Sequence, residues 1–111
     1  MKITKFSDIE ALPVSHNPHI QKKVLIEKGE IPRITNFSRS RFPPGESAPA
    51  HSHRDMYEVF LVESGSGVFR IDGKDYEVKA GSCVRVDLQE MHEIINTGDD
   101  YLVLTYFGVE V

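Results

Sequence analysis

A chain of 111 residues with 13 Lys+Arg, 17 Asp+Glu, five His, one Cys, no Trp and 40% hydrophobic positions has the composition of one ordinary globular domain. It is long enough to bury roughly 65% of its unfolded surface, so a core forms without disulfides or a structural metal, and any metal bound is expected to be functional. The net charge of −4 excludes the clustered Lys and Arg excess of a nucleic-acid footprint.

The lone cysteine, Cys83, makes no internal bridge. Charges interrupt the first ten residues where an export signal needs an unbroken apolar run. The expected location is cytoplasmic. The longest apolar stretch, residues 101–109, is about half a membrane span, so no membrane partner is expected. Asn36-Phe37-Ser38 fits the glycosylation pattern by accident, given no secretory signal.

Taken in chain order, residues 1–19 read as an N-terminal lead. A short helical turn is predicted over residues 7–12, with Ser7 as N-cap and Glu10 completing a capping box; Pro13 and Asn17-Pro18 end it. Residues 20–111 read as one β-rich domain. β-Branched and aromatic runs punctuated by Gly, Pro, Asn and Asp predict strands over 21–27, 33–42, 58–63, 68–72, 74–79, 82–86, 92–96 and 101–109. Asp72-Gly73 predicts a tight hairpin turn between two of them. Eight strands with turn signals roughly 8 to 12 residues apart give an all-β sandwich or barrel, and no gap holds the helix of a βαβ unit.

Three of the five histidines lie in this region. In an extended segment positions i and i+2 share a face, so His51-Ser52-His53 presents two imidazoles side by side. Glu58 follows at an odd separation, and a bend at Arg54-Asp55 would restore it to their side. His92 would arrive from a distant strand. Three imidazoles and a carboxylate suit one divalent transition-metal ion (Mn, Fe, Ni, Co, Cu or Zn) better than Mg or Ca, and leave positions open for substrate or water.

The spacing extends beyond the ligands. Gly45, His51, His53, Glu58 and Gly65 stand in one pattern, and Gly81, His92 and Asn96 in a second. These resemble the two signature motifs of the cupin superfamily, over residues 33 to 109. The first matches at every defining position; the second has Asp87 where the family has Pro and Gln89 where it has Gly. The resemblance implies a double-stranded β-helix, the cupin jelly roll, with metal ligation by His51, His53, Glu58 and His92. It also implies a catalytic role for Glu58 as ligand or proton acceptor.

Strand parity places Phe60 and Val62 on the inner wall with Glu58, and Val84 and Val86 inward. Cys83 then falls on the outer face or under a neighbouring segment as an inert buried thiol. Asp55, Tyr57, Glu63, Arg70, Cys83, Arg85, Asp87, Gln89 and Tyr106 are further candidates for contacts around the site. Arg39 and Arg41 share one face, either a charged outer surface or an anion-binding rim. Both faces of residues 101–109 are apolar, which predicts a covering partner subunit, as in a homodimer, or cover by the N-terminal segment. The functions consistent with this reading are a metal-dependent small-molecule enzyme, dioxygenase- or decarboxylase-like, or a non-catalytic small-ligand binder. Sugar-phosphate isomerase or epimerase chemistry follows if Arg39 or Arg41 lines the mouth.

Overall fold

The computed structural model describes residues 1–111. It is all-β, with ten strands: β1 (Leu12–Val14), β2 (Asn17–Ile26), β3 (Phe37–Phe42), β4 (Ser47–His51), β5 (Met56–Ser64), β6 (Ser66–Ile71), β7 (Lys74–Lys79), β8 (Cys83–Val86), β9 (His92–Ile95) and β10 (Leu102–Glu110). They form a six-stranded sheet in the order β1-β2-β3-β10-β5-β8 and a four-stranded sheet in the order β4-β9-β6-β7. Every pairing is antiparallel. Two such sheets face to face make the expected jelly roll. No helix is long and apolar enough to cross a membrane.

The strands that the sequence did not predict, β1 and β4, each carry a proline, Pro13 and Pro49. Both are edge strands, the one position in a sheet where a missing N–H leaves no ladder bond unmade. Residues 12–19, read as part of the lead, therefore supply β1 and the start of β2. The predicted turn at 7–12 is instead a single 3-10 turn, Phe6–Asp8; its cap position is Lys5 and no side chain caps it. The capping box of Ser7 and Glu10 does not form. The predicted strand 33–42 begins only at Phe37: residues 31–34 form a turn in which Arg33 is left-handed (φ 69°), and Ile34 makes only an isolated bridge to Val109.

Asp72-Gly73 closes the β6–β7 hairpin with φ of 48° and 81°, the two positive values that a type I′ turn requires. This turn also serves the site. The Asp72 N–H donates to the Met91 carbonyl oxygen (2.8 Å) and the Asp72 carboxylate accepts the Met91 N–H (2.9 Å), which pins the residue before His92. At the opposite end, Gly65 turns β5 into β6 with φ 83°, and a Cβ there would collide with the Tyr101 carbonyl.

The core lies between the sheets and consists of Ile20, Phe42, Phe60, Val62, Phe69, Val78, Val86, Ile94, Leu102 and Leu104. Phe60, Val62 and Val86 are buried as parity predicts, and Val84 packs against them. Phe60 meets Phe69 edge-on and stacks with Tyr106, each at 5.3 Å between centroids. Asn96 of the second motif is buried among them. Its amide donates to the carbonyls of Phe42 (2.8 Å) and Asp100 (2.9 Å), and its Oδ1 accepts the Gly98 N–H (2.9 Å). Asn96 is thus a structural staple whose hydrogen-bonding capacity is spent on three backbone groups.

Candidate metal centre

The four predicted ligands come together. His51 ends β4, His53 lies just beyond it, Glu58 sits on β5 and His92 begins β9. One ligand atom from each lies within 4.8 Å of all the others. Donor atoms this close together, of types that bind transition metals, are within reach of a single ion. The residues fit such an ion, and the cluster could hold one.

Local structure explains the convergence. His51 and His92 are direct cross-strand partners in the β4–β9 ladder, with ring centroids 4.2 Å apart. A bulge between Ala48 and His51, at the Pro49-Ala50 step, aims His51 into the barrel. The chain leaves the strand after His51 and bends at Arg54-Asp55, the step that the odd spacing to Glu58 demands. The His53 carbonyl accepts the Gln89 N–H at 2.6 Å, tying the first motif to the turn before His92.

Hydrogen bonding leaves the inner nitrogens available. The Nδ1 atoms of His51 and His92 lie 3.0 and 3.1 Å from the carbonyls of Pro49 and Glu90. Donation there leaves His51 with a lone pair on Nε2, whereas His92 Nε2 shares a proton with Glu58 Oε1 at 3.0 Å. His53 Nε2 is 3.0 Å from Glu58 Oε1, out of line for a hydrogen bond, and is buried with no partner. A buried nitrogen left unpaired among potential ligand atoms is one that a bound cation would satisfy.

The electrostatics agree. Burial lowers the His51 pKa below the usual imidazole value, against the opposing bond to Pro49. Burial alone would raise the Glu58 carboxyl, but the hydrogen bond from His92 (3.0 Å) and the three neighbouring imidazoles bring it below the usual carboxylate range. His92 is 1% exposed; burial disfavours its cation, yet the Glu58 bond overrides this and raises its pKa. His92 and Glu58 therefore share a proton that an ion would displace.

Beside the cluster lies a cavity of about 180 Å³ lined mainly by apolar residues, among them Ile20, Phe42, Phe60, Ile94 and Leu104, with His51 and Glu58 at one side. Ser40 and Tyr106 share a 2.7 Å hydrogen bond in its wall, and burial raises the Tyr106 pKa. A wider opening, between residues 14–16 at the β1–β2 turn and residues 48–53, leads to His51 and His53. Sequence reasoning missed this contribution of β1 and β2, because Pro13 and Pro18 read as breakers.

Of the further candidates, only Tyr106 lines the cavity, and Gln89 reaches the site through its backbone. Arg70 pairs with Asp75 and Glu93, Arg85 with Asp87, and Glu63 with Arg39. Tyr57 neighbours Glu58 on β5 with the opposite parity, and the Asp55 carbonyl accepts the Val111 N–H. Cys83 is exposed, contrary to the expected buried thiol, because it starts β8 at the sheet edge. Arg39 and Arg41 lie on the outer face, over the rings of Phe6 (4.6 Å) and Tyr101 (3.9 Å), while Ser38 and Ser40 are buried. They form no rim, which removes the support for sugar-phosphate chemistry. Phe6 is also held by Lys23, so the N-terminal segment covers part of that outer face.

Comparison with known proteins agrees with this geometry. An oxalate-binding protein of Thermotoga maritima is 41% identical over 63 residues, 57% of this chain and 52% of that protein. The transcriptional activator RhaS of Yersinia pestis is 32% identical over 81 residues, 67% of this chain and 29% of RhaS. The chain thus spans about half, or less, of the length of these curated relatives. The crystal structure of a predicted oxalate decarboxylase from T. maritima superposes with a TM-score of 0.93 at 28% identity, covering 99% of this chain and 100% of that one. A family model described as "Cupin domain" matches residues 38–108. With that match over well more than half its length, and with the jelly roll and the converging histidines in place, the chain belongs to the cupin family.

Proposed function

We propose that this cupin is a metal-dependent small-molecule protein in which His51, His53, Glu58 and His92 hold one divalent transition-metal ion. A small ligand with oxygen donors then reaches the ion's open positions from the apolar cavity. The observation that carries this reading is the set of inward nitrogens: His51 Nε2 freed by its Nδ1–carbonyl bond, His53 Nε2 buried without a partner, and His92 Nε2 turned to the Glu58 carboxylate. The name of the oxalate-binding relative supports a ligand of this kind. When bound, such an ion supplies Lewis-acid polarisation or, for Mn and Fe, redox chemistry.

The chain's own residues do the rest. Phe42, Phe60, Ile94 and Leu104 exclude water from the ligand's far side, while Glu58 holds negative charge at the cluster and His92 orients it. The Tyr106 phenol stays protonated beside the ligand space. Dioxygenase- or decarboxylase-like turnover is the enzymatic form of this reading. Capture without turnover is the second form, favoured by a cavity wall that holds no carboxylate besides Glu58 and no thiol. The apolar and exposed Leu61 on β5 and Tyr101 just before β10 support a homodimer as the assembled form.

Calorimetry with oxalate on protein loaded with Mn(II) or Fe(II), against protein stripped by chelator, tests the reading. Binding is expected only in the loaded protein; equal binding to the stripped protein would overturn metal dependence. Oxygen uptake across diketones, flavonols and thiols separates the two forms. A flat response with every metal would leave capture.

A further inference from the structure

The cavity beside the histidine cluster contains one charged side chain that metal ligation does not use. On β2, Ile20, Lys22 and Val24 share the inner face by strand parity, whereas Lys23 turns outward to Phe6. The register fixes this placement. Lys22 lies across from Ser40, Ser40 from Leu104, and Leu104 from Val62. Ser40, Leu104 and Val62 are all buried, so the row faces the core and Lys22 faces it too.

Lys22 is half-buried and lines the cavity with Ser40, Tyr106 and Glu58. It forms no ion pair with any carboxylate of the chain. A half-buried lysine lining a largely apolar cavity without a counter-charge is a ready partner for an anion that a ligand supplies. The hydroxyl pair of Ser40 and Tyr106 stands in the same wall and adds neutral hydrogen-bonding capacity.

We infer that Lys22, flanked by the Ser40–Tyr106 hydroxyl pair, determines specificity by recognising the outward oxygens of a small dicarboxylate or 2-oxo acid held at the histidine cluster. The inference rests on the metal-dependent reading above. Charge and size both favour this class. A divalent ion and the Glu58 carboxylate leave one positive charge, and Lys22 adds a second, in a space of about 180 Å³. A dianion of a few heavy atoms neutralises that charge within the volume. A chelator with a hydrocarbon back leaves the lysine unpaired, and drug-sized ligands occupy pockets of roughly 300–1,000 Å³.

Two probes separate the lysine from the metal. Oxalate chelates through one oxygen of each carboxylate and turns two oxygens away from the ion; tropolone chelates equally but presents a hydrocarbon ring. In Mn(II)-loaded protein, Lys22→Met is expected to weaken oxalate binding about tenfold or more, the worth of a hydrogen bond to a charged group. Mn(II) content and tropolone affinity should stay unchanged, and Lys22→Arg should restore oxalate binding to within about threefold. Equal loss for both probes, or no loss for oxalate with the metal retained, would overturn the inference. If the wild-type protein takes up no metal, the metal-dependent reading fails separately, and amine acetylation of Lys22 read by mass spectrometry decides this one. The same labelling of the wild-type protein decides if Lys22→Met does not fold. Protection of Lys22 by oxalate supports the assignment, and unchanged acetylation overturns it.

Discussion

Residues 45–65 and residues 81–96 deliver ligands to one point by different means. The first segment supplies His51, His53 and Glu58 at the open side of the barrel, where His53 is 30% exposed, and relies on a bulge and a bend to aim them. The second supplies only His92, yet buries it almost completely and anchors it through Met91 to the Asp72 turn. The second is also the segment that departs from the family pattern, at Asp87 and Gln89. Its backbone nevertheless keeps the required shape. Gln89 adopts φ 65°, a left-handed conformation natural to glycine, held by its N–H bond to the His53 carbonyl. The Asp87 N–H, which a proline would lack, finds the Glu90 carboxylate at 2.6 Å. A motif position can therefore lose its residue and keep its geometry when neighbouring hydrogen bonds hold the turn.

The largest expected effect comes from the buried end of this comparison. His92→Ala should weaken metal binding by more than about 100-fold, beyond what loss of an outer partner costs, as read by metal titration. It should also destabilise the metal-free protein by about 3 kcal/mol, because Glu58 is left in a site only 12% exposed without its donor. His53→Ala, at the exposed end, should keep the fold while still reducing metal affinity; an equal loss of stability in both variants would erase the contrast between the segments.

Asn96→Ala should come next. It strands the carbonyls of Phe42 and Asp100, costing about 2 kcal/mol and lowering Tm by roughly 10 °C in thermal unfolding. Metal affinity per folded molecule should not change. Gln89→Gly relieves a left-handed non-glycine residue and should raise stability by about 0.5–1 kcal/mol, net of the added freedom of the unfolded chain. A loss of stability on that change would mean the Gln89 side chain, and not its backbone, shapes the turn. The smallest effect belongs to Arg85→Ala, whose partner Asp87 is also solvent-exposed. Neither metal binding nor Tm should move measurably.

The sequence was most legible where side-chain identity and spacing coincide. His51, His53, Glu58 and His92 were picked out because they fall at the spacing of the cupin motifs, and Phe60, Val62 and Val86 because alternation reports burial. It was least legible where the deciding term is tertiary. Pro13 read as a breaker and residues 47–51 were given no strand, because strands that carry a proline are possible only at sheet edges, which no local window reveals. Lys22 read as an ordinary strand residue. Its inward position emerges only from its register against Ser40. Cys83 looked like a small apolar residue destined for burial, and its exposure follows from β8 being the last strand of its sheet.

The most direct test of the central claim is elemental analysis of protein purified without a His-tag or chelating resin and then equilibrated in turn with Mn, Fe, Co, Ni, Cu and Zn. A centre built from His51, His53, Glu58 and His92 predicts one divalent ion per chain, with stoichiometric uptake lost in His92→Ala. Absence of stoichiometric uptake of every metal, or uptake that His92→Ala leaves intact, would contradict it.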